Sequence, residues 1–335
     1  MPDRDSAAWL WLRDRLAALR PAPRPEISGA GQADVVRTAV VTDSAAALPA
    51  DWVNACAGDG RLTVIPMPVM VGEEIYGEGE DDITETIALA LASGKSVKTS
   101  RPSPGQFEQA FLAAERRGYE AVVSIHISGG LSGTADAARL AAGRVGIPVE
   151  VIDSGTVGMA QGMGVQAAVV AAAGGADAAG VRAMAEGQLG RTKVYFYVPS
   201  LEQLRRGGRI GAAASLFGTM LAIKPILAVD GGKIVPLEKV RSAARAIARL
   251  EEIAAADAAS RPAGSVSLAV HHFGNPAEAE ALADRLAAAL PGCPRAQISS
   301  LPAVLAAHAG LGVLAVIVGD GGTSEPAAGL PGLPT

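Results

Sequence analysis

The stretch Val-Val-Ser-Ile-His-Ile-Ser-Gly-Gly-Leu-Ser-Gly-Thr, residues 122–134, decides the fold. Its first half is apolar and β-branched with two polar residues, which is typical of a strand. Glycines and hydroxyl residues follow, and the Ala-rich residues 135–142 predict a helix. A strand, a glycine-rich turn and a helix in this order bring backbone N–H groups and a positive helix end together. The stretch therefore predicts a site for a phosphate or carboxylate beside Ser128, Ser132 and Thr134. A tight turn capped by its own serines is the alternative.

The composition indicates a soluble globular protein with two domains. The chain has 335 residues, of which 49% are hydrophobic, and its net charge is −5. A nucleic-acid-binding protein is not expected, because such proteins carry basic patches and the aromatic content here is only 4%. Cys56 and Cys293 lie in no metal-ligand spacing and agree with a reducing compartment. We expect a cytoplasmic location, since we find neither a signal-peptide layout nor an uninterrupted membrane-spanning apolar run.

The order of predicted elements divides the chain. Strands alternate with helices from 38 to 153, which predicts a parallel α/β domain over residues 36–158. Asp230-Gly231-Gly232 lies between two apolar runs and predicts a hairpin, so residues 159–320 are expected to form an α+β domain with antiparallel pairing.

Two terminal segments and two internal ones complete this division. Residues 1–35 are expected to form an extension, with an amphipathic helix over 7–20 and a Pro-rich linker. Residues 321–335 are expected to be a flexible tail. Residues 62–71 predict an edge strand region, because Pro66 and Pro68 lack the N–H that a central strand donates. The acidic residues 73–82 predict an exposed turn rather than a calcium loop.

The polar residues limit the chemistry. No Walker A lysine follows the glycines, and no Gly-x-Ser-x-Gly elbow occurs, so neither P-loop nucleotide binding nor serine hydrolysis is expected. The four histidines show no metal-ligand spacing. His126 lies inside a strand and is expected to be a core histidine, whereas His308 lies among small residues that leave it access to a ligand. Thr99 and Ser100 have no capping role, because Ser103 is the expected N-cap ahead of Pro104.

Six ordered motifs between residues 37 and 319 resemble those of the DegV family, the fatty-acid-binding subunits of bacterial fatty acid kinase. They are Thr42-Asp43-Ser44, Lys98-Thr99-Ser100-x-Pro102-Ser103-Pro104, Ser124-Ile125-His126-Ile127-Ser128-x-Gly130-Leu131-Ser132-Gly133-Thr134, Val151-Ile152-Asp153-Ser154, Gly207-Gly208-Arg209-Ile210-Gly211 and Lys224-Pro225-Ile226-Leu227. The resemblance implies a DegV-like two-domain α/β fold that holds one long-chain fatty acid in a tunnel between domains. It implies no catalytic residue, no metal and no cofactor in this chain.

The resemblance also implies roles for particular residues. The fatty-acid carboxylate is expected at Thr99, Ser100, Ser128, Ser132 and His308. Gly129 belongs to the same motif and keeps its backbone N–H where members often carry a second serine. A carboxylate beside His308 is expected to raise the pKa of the imidazole. The implied partner is an ATP-dependent fatty acid kinase subunit that contacts an exposed Arg209. A transient contact with a membrane surface stays open.

Two other hypotheses remain at this point. One is a small-molecule phosphotransferase that uses the turn at residues 128–134 as a phosphate cradle, with Asp43 and Asp153 as candidate metal-binding acids. The other is a structural or interaction protein with an empty cleft. A lone Arg209 after a Gly-Gly turn also has a second interpretation, in which it only caps the carbonyl groups of the preceding helix.

Overall fold

The computed structural model describes residues 37–56, 58, 60–77, 83–216, 223–262 and 264–321. The predicted N-terminal helix and residues 322–335 of the predicted tail lie outside these ranges. The strands are β1 (Thr38–Asp43), β2 (Leu62–Ile65), β3 (Pro68–Val71), β4 (Glu74–Gly77), β5 (Val97–Thr99), β6 (Ala121–His126), β7 (Val149–Asp153), β8 (Lys193–Tyr197), β9 (Lys224–Asp230), β10 (Lys233–Val240), β11 (Val266–His272), β12 (Gln297–Ser300) and β13 (Leu314–Asp320).

The helices alternate with these strands along much of the chain. They are α1 (Ala50–Cys56), α2 (Thr84–Ala92), α3 (Pro104–Arg116), α4 (Thr134–Ala142), α5 (Met159–Ala173), α6 (Ala178–Leu189), α7 (Glu202–Arg206), α8 (Ala243–Ala259), α9 (Pro276–Ala289) and α10 (Ala303–Ala309), with short 3-10 helices at Ser44–Ala46 and Gly211–Leu216. Among the described residues, no helix combines the length and apolarity needed to cross a bilayer.

The first half of the chain forms a parallel sheet with helices on both faces, as predicted. Its strand order is β2-β1-β6-β7, and all three pairings are parallel. Phe107 and Phe111 of α3, together with α4, cover one face. Val165 and Val169 of α5, together with α6, cover the other. Because parallel strands end at one edge, the turns after β1 and β6 lie next to each other, and this edge faces the second domain.

The second half forms a mixed six-stranded sheet in the order β10-β9-β8-β13-β11-β12. The predicted hairpin is confirmed, since β9 and β10 pair antiparallel through Asp230 and Lys233. Only β11 and β12 pair in parallel. Helices α8 and α9 pack on one face through an apolar cluster that includes Leu250, Leu282 and Leu286. The opposite face turns toward the first domain, so the space between the sheets is lined by both halves of the chain.

Three local predictions need correction. Residues 62–71 form two strands in different sheets and not one region. Strand β2 is an edge strand of the parallel sheet, as predicted, whereas Pro68 begins β3, the central strand of a small antiparallel sheet, β4-β3-β5. Within the acidic segment expected as a turn, Glu74–Gly77 is strand β4 instead. The predicted break between residues 158 and 159 does not match the packing. Helices α5 and α6 follow that break, yet they cover the parallel sheet that precedes it.

Helix α5 also contacts the second sheet. Its Met159 and Met163 lie in the apolar cluster that contains Phe196 and Ile317, whereas Val165 and Val169 face the parallel sheet. A helix that is apolar on several sides is expected to be buried, and α5 is. The helix therefore packs against the sheets of both domains.

Candidate functional site

A cavity of about 380 Å³ lies between the two sheets, within the 300–1,000 Å³ range of small-ligand pockets. Most of the residues that line it are apolar. Its polar side chains gather mainly at one end, where the parallel sheet, β5, α7 and α10 meet. The apolar lining consists of Met67, Ile127, Leu131, Val157, Val194, Phe196, Leu204, Val229, Ile234, Leu301, Val304, Leu305, Ala309, Val313, Ala315 and Ile317, and the polar lining of Thr99, Ser100, Arg101, Ser132, Arg209, His271 and His308, with Gly133 and Gly158.

Thr99 and His308 form the centre of the polar end. Thr99 Oγ1 lies 2.8 Å from His308 Nε2, although 209 positions separate the two residues. Thr99 is the last residue of β5, and His308 lies on α10. A side chain at position 207 would collide with the imidazole, so the glycine there lets α7 approach His308. Two predicted site residues are thus in direct contact.

The positive charge of the cavity lining lies on Arg101 and Arg209 and not on His308. Burial, and then the positive charge of Arg209, lower the pKa of His308 to about 4, so the imidazole is neutral at pH 7. The expected rise in the pKa of His308 depends on a fatty-acid carboxylate beside the imidazole, so it stays a prediction for the ligand-bound protein. A neutral imidazole still offers one donor and one acceptor.

Arg209 is not the exposed side chain that the sequence predicted. It is half-buried and lines the cavity. Its Nε donates to the carbonyl oxygen of Leu131 at 3.0 Å, and its Nη1 donates to that of Gly207 at 2.6 Å. The bond to Gly207 agrees with the capping interpretation, whereas the bond to Leu131 connects the two domains. Arg209 therefore holds its charge at the polar end of the cavity.

The two serines of the glycine-rich turn occupy different positions. Ser132 lines the cavity, and its Oγ lies 2.8 Å from that of Thr134. Ser128 is buried outside the lining, and its hydroxyl donates to the carbonyl oxygen of Gly232 at 2.7 Å. Gly129 also lies outside the lining. Of the predicted carboxylate site, Thr99, Ser100, Ser132 and His308 are brought together, and Ser128 and Gly129 are not.

The amides of Gly129 to Ser132 are used within the chain, which agrees with the alternative of a tight turn capped by its own serine. Gly129 N–H donates to Asp153 Oδ1 at 2.9 Å, and Gly130 N–H donates to Ser128 Oγ at 3.1 Å. The N–H groups of Leu131 and Ser132 both donate to the carbonyl oxygen of Ser128. The turn is therefore closed by its own bonds, which leaves the hydroxyl of Ser132 and the start of α4 to face the cavity.

Asp43 is a structural residue and does not face a ligand. Its carboxylate is fully buried and accepts hydrogen bonds from the N–H groups of Ala45 and Ile127 and from the Gln161 amide. His126 Nδ1 lies 3.0 Å from Asp43 Oδ2, and its Nε2 lies 2.6 Å from Ser124 Oγ. His126 is thus the satisfied core histidine that the sequence predicted. Within the described ranges, no group of three His, Cys, Asp or Glu side chains is arranged to hold a metal ion.

His271 lines the cavity and was missed by the sequence analysis. The side chain is buried, and its Nε2 accepts the N–H of Met159 at 3.0 Å. The proton is then on Nδ1, which donates to Ser299 Oγ at 2.9 Å. Burial is the main cause that lowers the pKa of His271 to about 4. No local motif marks this residue, because its role in capping α5 arises only when β11 lies against that helix.

Residues 37–319 match the model of the DegV family, which is described as a family of uncharacterised proteins. The chain belongs to the DegV family. A DegV domain-containing protein of Streptomyces coelicolor is 47% identical, over 84% of this chain and 97% of its own length. Another, of Mycobacterium tuberculosis H37Rv, is 36% identical, over 86% of this chain and 99% of its own length. The family resemblance drawn from the sequence is thereby confirmed.

Solved DegV structures share the fold. A DegV family protein of Thermus thermophilus, described by its fatty acid binding, is 31% identical, with a TM-score of 0.77 over 85% of this chain and 99% of its own. DegV of Bacillus subtilis, described as a fatty acid binding protein, is 30% identical, with a TM-score of 0.76 over the same shares. The predicted α/β fold, with a parallel sheet before a mixed one, is confirmed in this DegV protein.

Proposed function

We propose that this DegV protein binds one long-chain fatty acid between its two domains, with the acyl chain along the apolar walls. The observation that carries the proposal is the cavity itself, whose lining is mostly apolar and whose Thr99, His308 and Arg209 lie together. Burying a methylene group contributes ~0.8 kcal/mol, so sixteen carbons could contribute on the order of 10 kcal/mol before the costs of association. The fatty-acid binding described for the Thermus and Bacillus proteins supports the same ligand class.

The carboxylate lies at the polar end in this proposal. A carboxylate that leaves water must regain hydrogen bonds, or desolvation cancels the gain from the acyl chain. Thr99, Ser132 and His308 offer uncharged donors there, Ser100 adds a hydroxyl, and Arg209 adds a charge-assisted donor. A carboxylate accepts about four hydrogen bonds, so this set is large enough to satisfy it.

We further infer that the protein is the lipid-binding subunit for an ATP-dependent fatty acid kinase and is not itself the enzyme. The kinase supplies the nucleotide and its metal and converts the carboxylate to an acyl phosphate. Support comes from the family resemblance and from the half-buried Arg209, part of which is accessible to a partner. The phosphotransferase alternative has less support, because the turn amides are occupied and Asp43 is buried.

Lipid extraction from the purified protein tests the proposal. We expect mass spectrometry to find one long-chain fatty acid per chain, and delipidated protein to bind palmitate by calorimetry. Protein that carries no lipid and does not bind palmitate would contradict fatty-acid binding. Protein that binds palmitate but yields no acyl phosphate with a bacterial fatty acid kinase and ATP would contradict the subunit role alone.

A further inference from the structure

A second cavity of about 420 Å³ adjoins the polar end of the first. Leu131, Arg209 and Ile234 line both cavities, so the two share a wall at the proposed carboxylate position. The remaining lining comes from the glycine-rich turn, the start of β10 and the segment between α7 and β9. These residues are Gly130, Gly208, Gly211, Ala212 and Lys233.

The second cavity is lined by several small residues, and both of its charged residues are cations. Four of its eight residues are glycine or alanine, which leaves room beside the backbone. The two charged residues are Arg209 and Lys233, and none of the eight is acidic. Dianionic phosphoryl groups are recognised by such pairs, in which a guanidinium fork and a lysine ammonium act together.

Neither cation forms a salt bridge with a carboxylate of the described residues, although Asp230 is the register partner of Lys233 in the hairpin. The bonds of Arg209 go to the carbonyl oxygens of Leu131 and Gly207, which fix the guanidinium without removing its charge. Lys233 is exposed at the end of the β9–β10 hairpin and forms no ion pair with a described residue. The cavity therefore has two available positive charges on different elements.

We propose that this second cavity binds the phosphoryl group of an acyl phosphate, the product of the phosphorylation reaction. The proposal rests on the proposed function. In that reaction a carboxylate oxygen bonds to the γ-phosphorus of ATP while the bond from that phosphorus to the bridging oxygen breaks, so ADP leaves and no proton is transferred. The product keeps its acyl chain in the first cavity, and its phosphoryl group passes Arg209 to reach Lys233.

A stable product analogue tests this subsite. The probe is the β-ketophosphonate of palmitate, in which a methylene replaces the bridging oxygen of palmitoyl phosphate. Its affinity and that of palmitate are measured by calorimetry on the delipidated full chain, for wild type, Lys233→Gln and the matched control Lys239→Gln. Lys239 is an exposed lysine on the same strand that lines neither cavity.

We expect Lys233→Gln to lower the affinity for the phosphonate about tenfold and to leave the affinity for palmitate unchanged, because only the phosphonate reaches the lysine ammonium. Lys239→Gln should change neither affinity. The subsite is wrong if Lys233→Gln leaves the phosphonate unchanged, or weakens both ligands equally. Failure of wild type to bind palmitate would instead overturn the proposed function, so the two failures are distinguishable.

Discussion

The hydroxyl of Ser128 donates a 2.7 Å hydrogen bond to the carbonyl oxygen of Gly232, which joins the glycine-rich turn of the first domain to the β9–β10 hairpin of the second. Gly130 lies at the same contact, where an added side chain would collide with that carbonyl oxygen. The turn and the hairpin therefore meet beside Leu131 and Ile234, which line the cavity, and glycine at position 130 permits this close approach.

Gly130→Ala should separate the turn from the hairpin. We expect a loss of about 1–3 kcal/mol in the free energy of unfolding and faster dissociation of bound palmitate, because overpacking forces the backbone apart. Urea unfolding and stopped-flow displacement measure the two effects. Gly143→Ala is the matched control, since nothing lies within 4 Å of its added carbon and its φ of −76° suits alanine. Equal behaviour of the two variants would contradict the closing role of the turn.

Chain length should dominate fatty-acid affinity. Palmitate has eight more methylenes than octanoate, which contribute several kcal/mol at ~0.8 kcal/mol each. We expect octanoate to bind at least about a hundredfold more weakly after the costs of ordering the longer chain. Calorimetric titration of delipidated protein with both acids measures this, and equal affinities would show that the acyl chain does not lie in the cavity.

The Thr99–His308 contact should hold the carboxylate. His308→Ala and Thr99→Ala should each lower the affinity for palmitate about tenfold. The double variant should lose less binding free energy than the sum of the two single variants, because the two side chains share one hydrogen bond. Ser132→Ala should also weaken palmitate binding, whereas Ser93→Ala, at an exposed serine that does not line the cavity, should not. A folded His308→Ala variant that binds palmitate like wild type would exclude the histidine from the head group.

Arg209 should affect lipid binding, which revises the expectation from an exposed side chain. Arg209→Ala should lower the affinity for palmitate about tenfold, because it removes a charge-assisted hydrogen-bond donor at the polar end of the cavity. Arg206→Ala is the control, since its exposed guanidinium pairs with Glu202 on the same helix. Unchanged palmitate affinity in Arg209→Ala, with lost acyl-phosphate formation, would assign the residue to the kinase contact alone.

Acid should destabilise the fold partly through His271. Its pKa is lowered from 6.5 to about 4 in the folded chain, so the unfolded chain binds more protons between these values. Stability therefore falls as the pH drops from about 6.5 toward 4, by about 2 kcal/mol for this group between pH 7 and pH 4.5. His271→Gln keeps an acceptor for the Met159 N–H but cannot titrate. Urea unfolding should show a smaller acid loss in the variant, and an identical loss would contradict the assignment.

The sequence alone determined the local elements and the family. The Ser103-Pro104 pair predicts the start of α3, and Ser103 caps that helix through Gln106. The glycine-rich turn, the 230–232 hairpin and the alternation of strands and helices need only neighbouring residues to be recognised. The short Ala-rich α10 is not predicted, because the six apolar residues that surround His308 in it carry no helical periodicity.

Only the tertiary structure decided which polar residues meet. Thr99 and His308 are far apart in the chain, and their contact depends on how β5 packs against α10. Ser128 and Ser132 are equivalent as sequence, yet one bonds to the hairpin and the other faces the cavity, because the turn closes on itself between them. Arg209 is directed inward by two carbonyl groups, one of them from the other domain. Such assignments depend on side-chain direction and on contacts between sheets, which a local pattern does not encode.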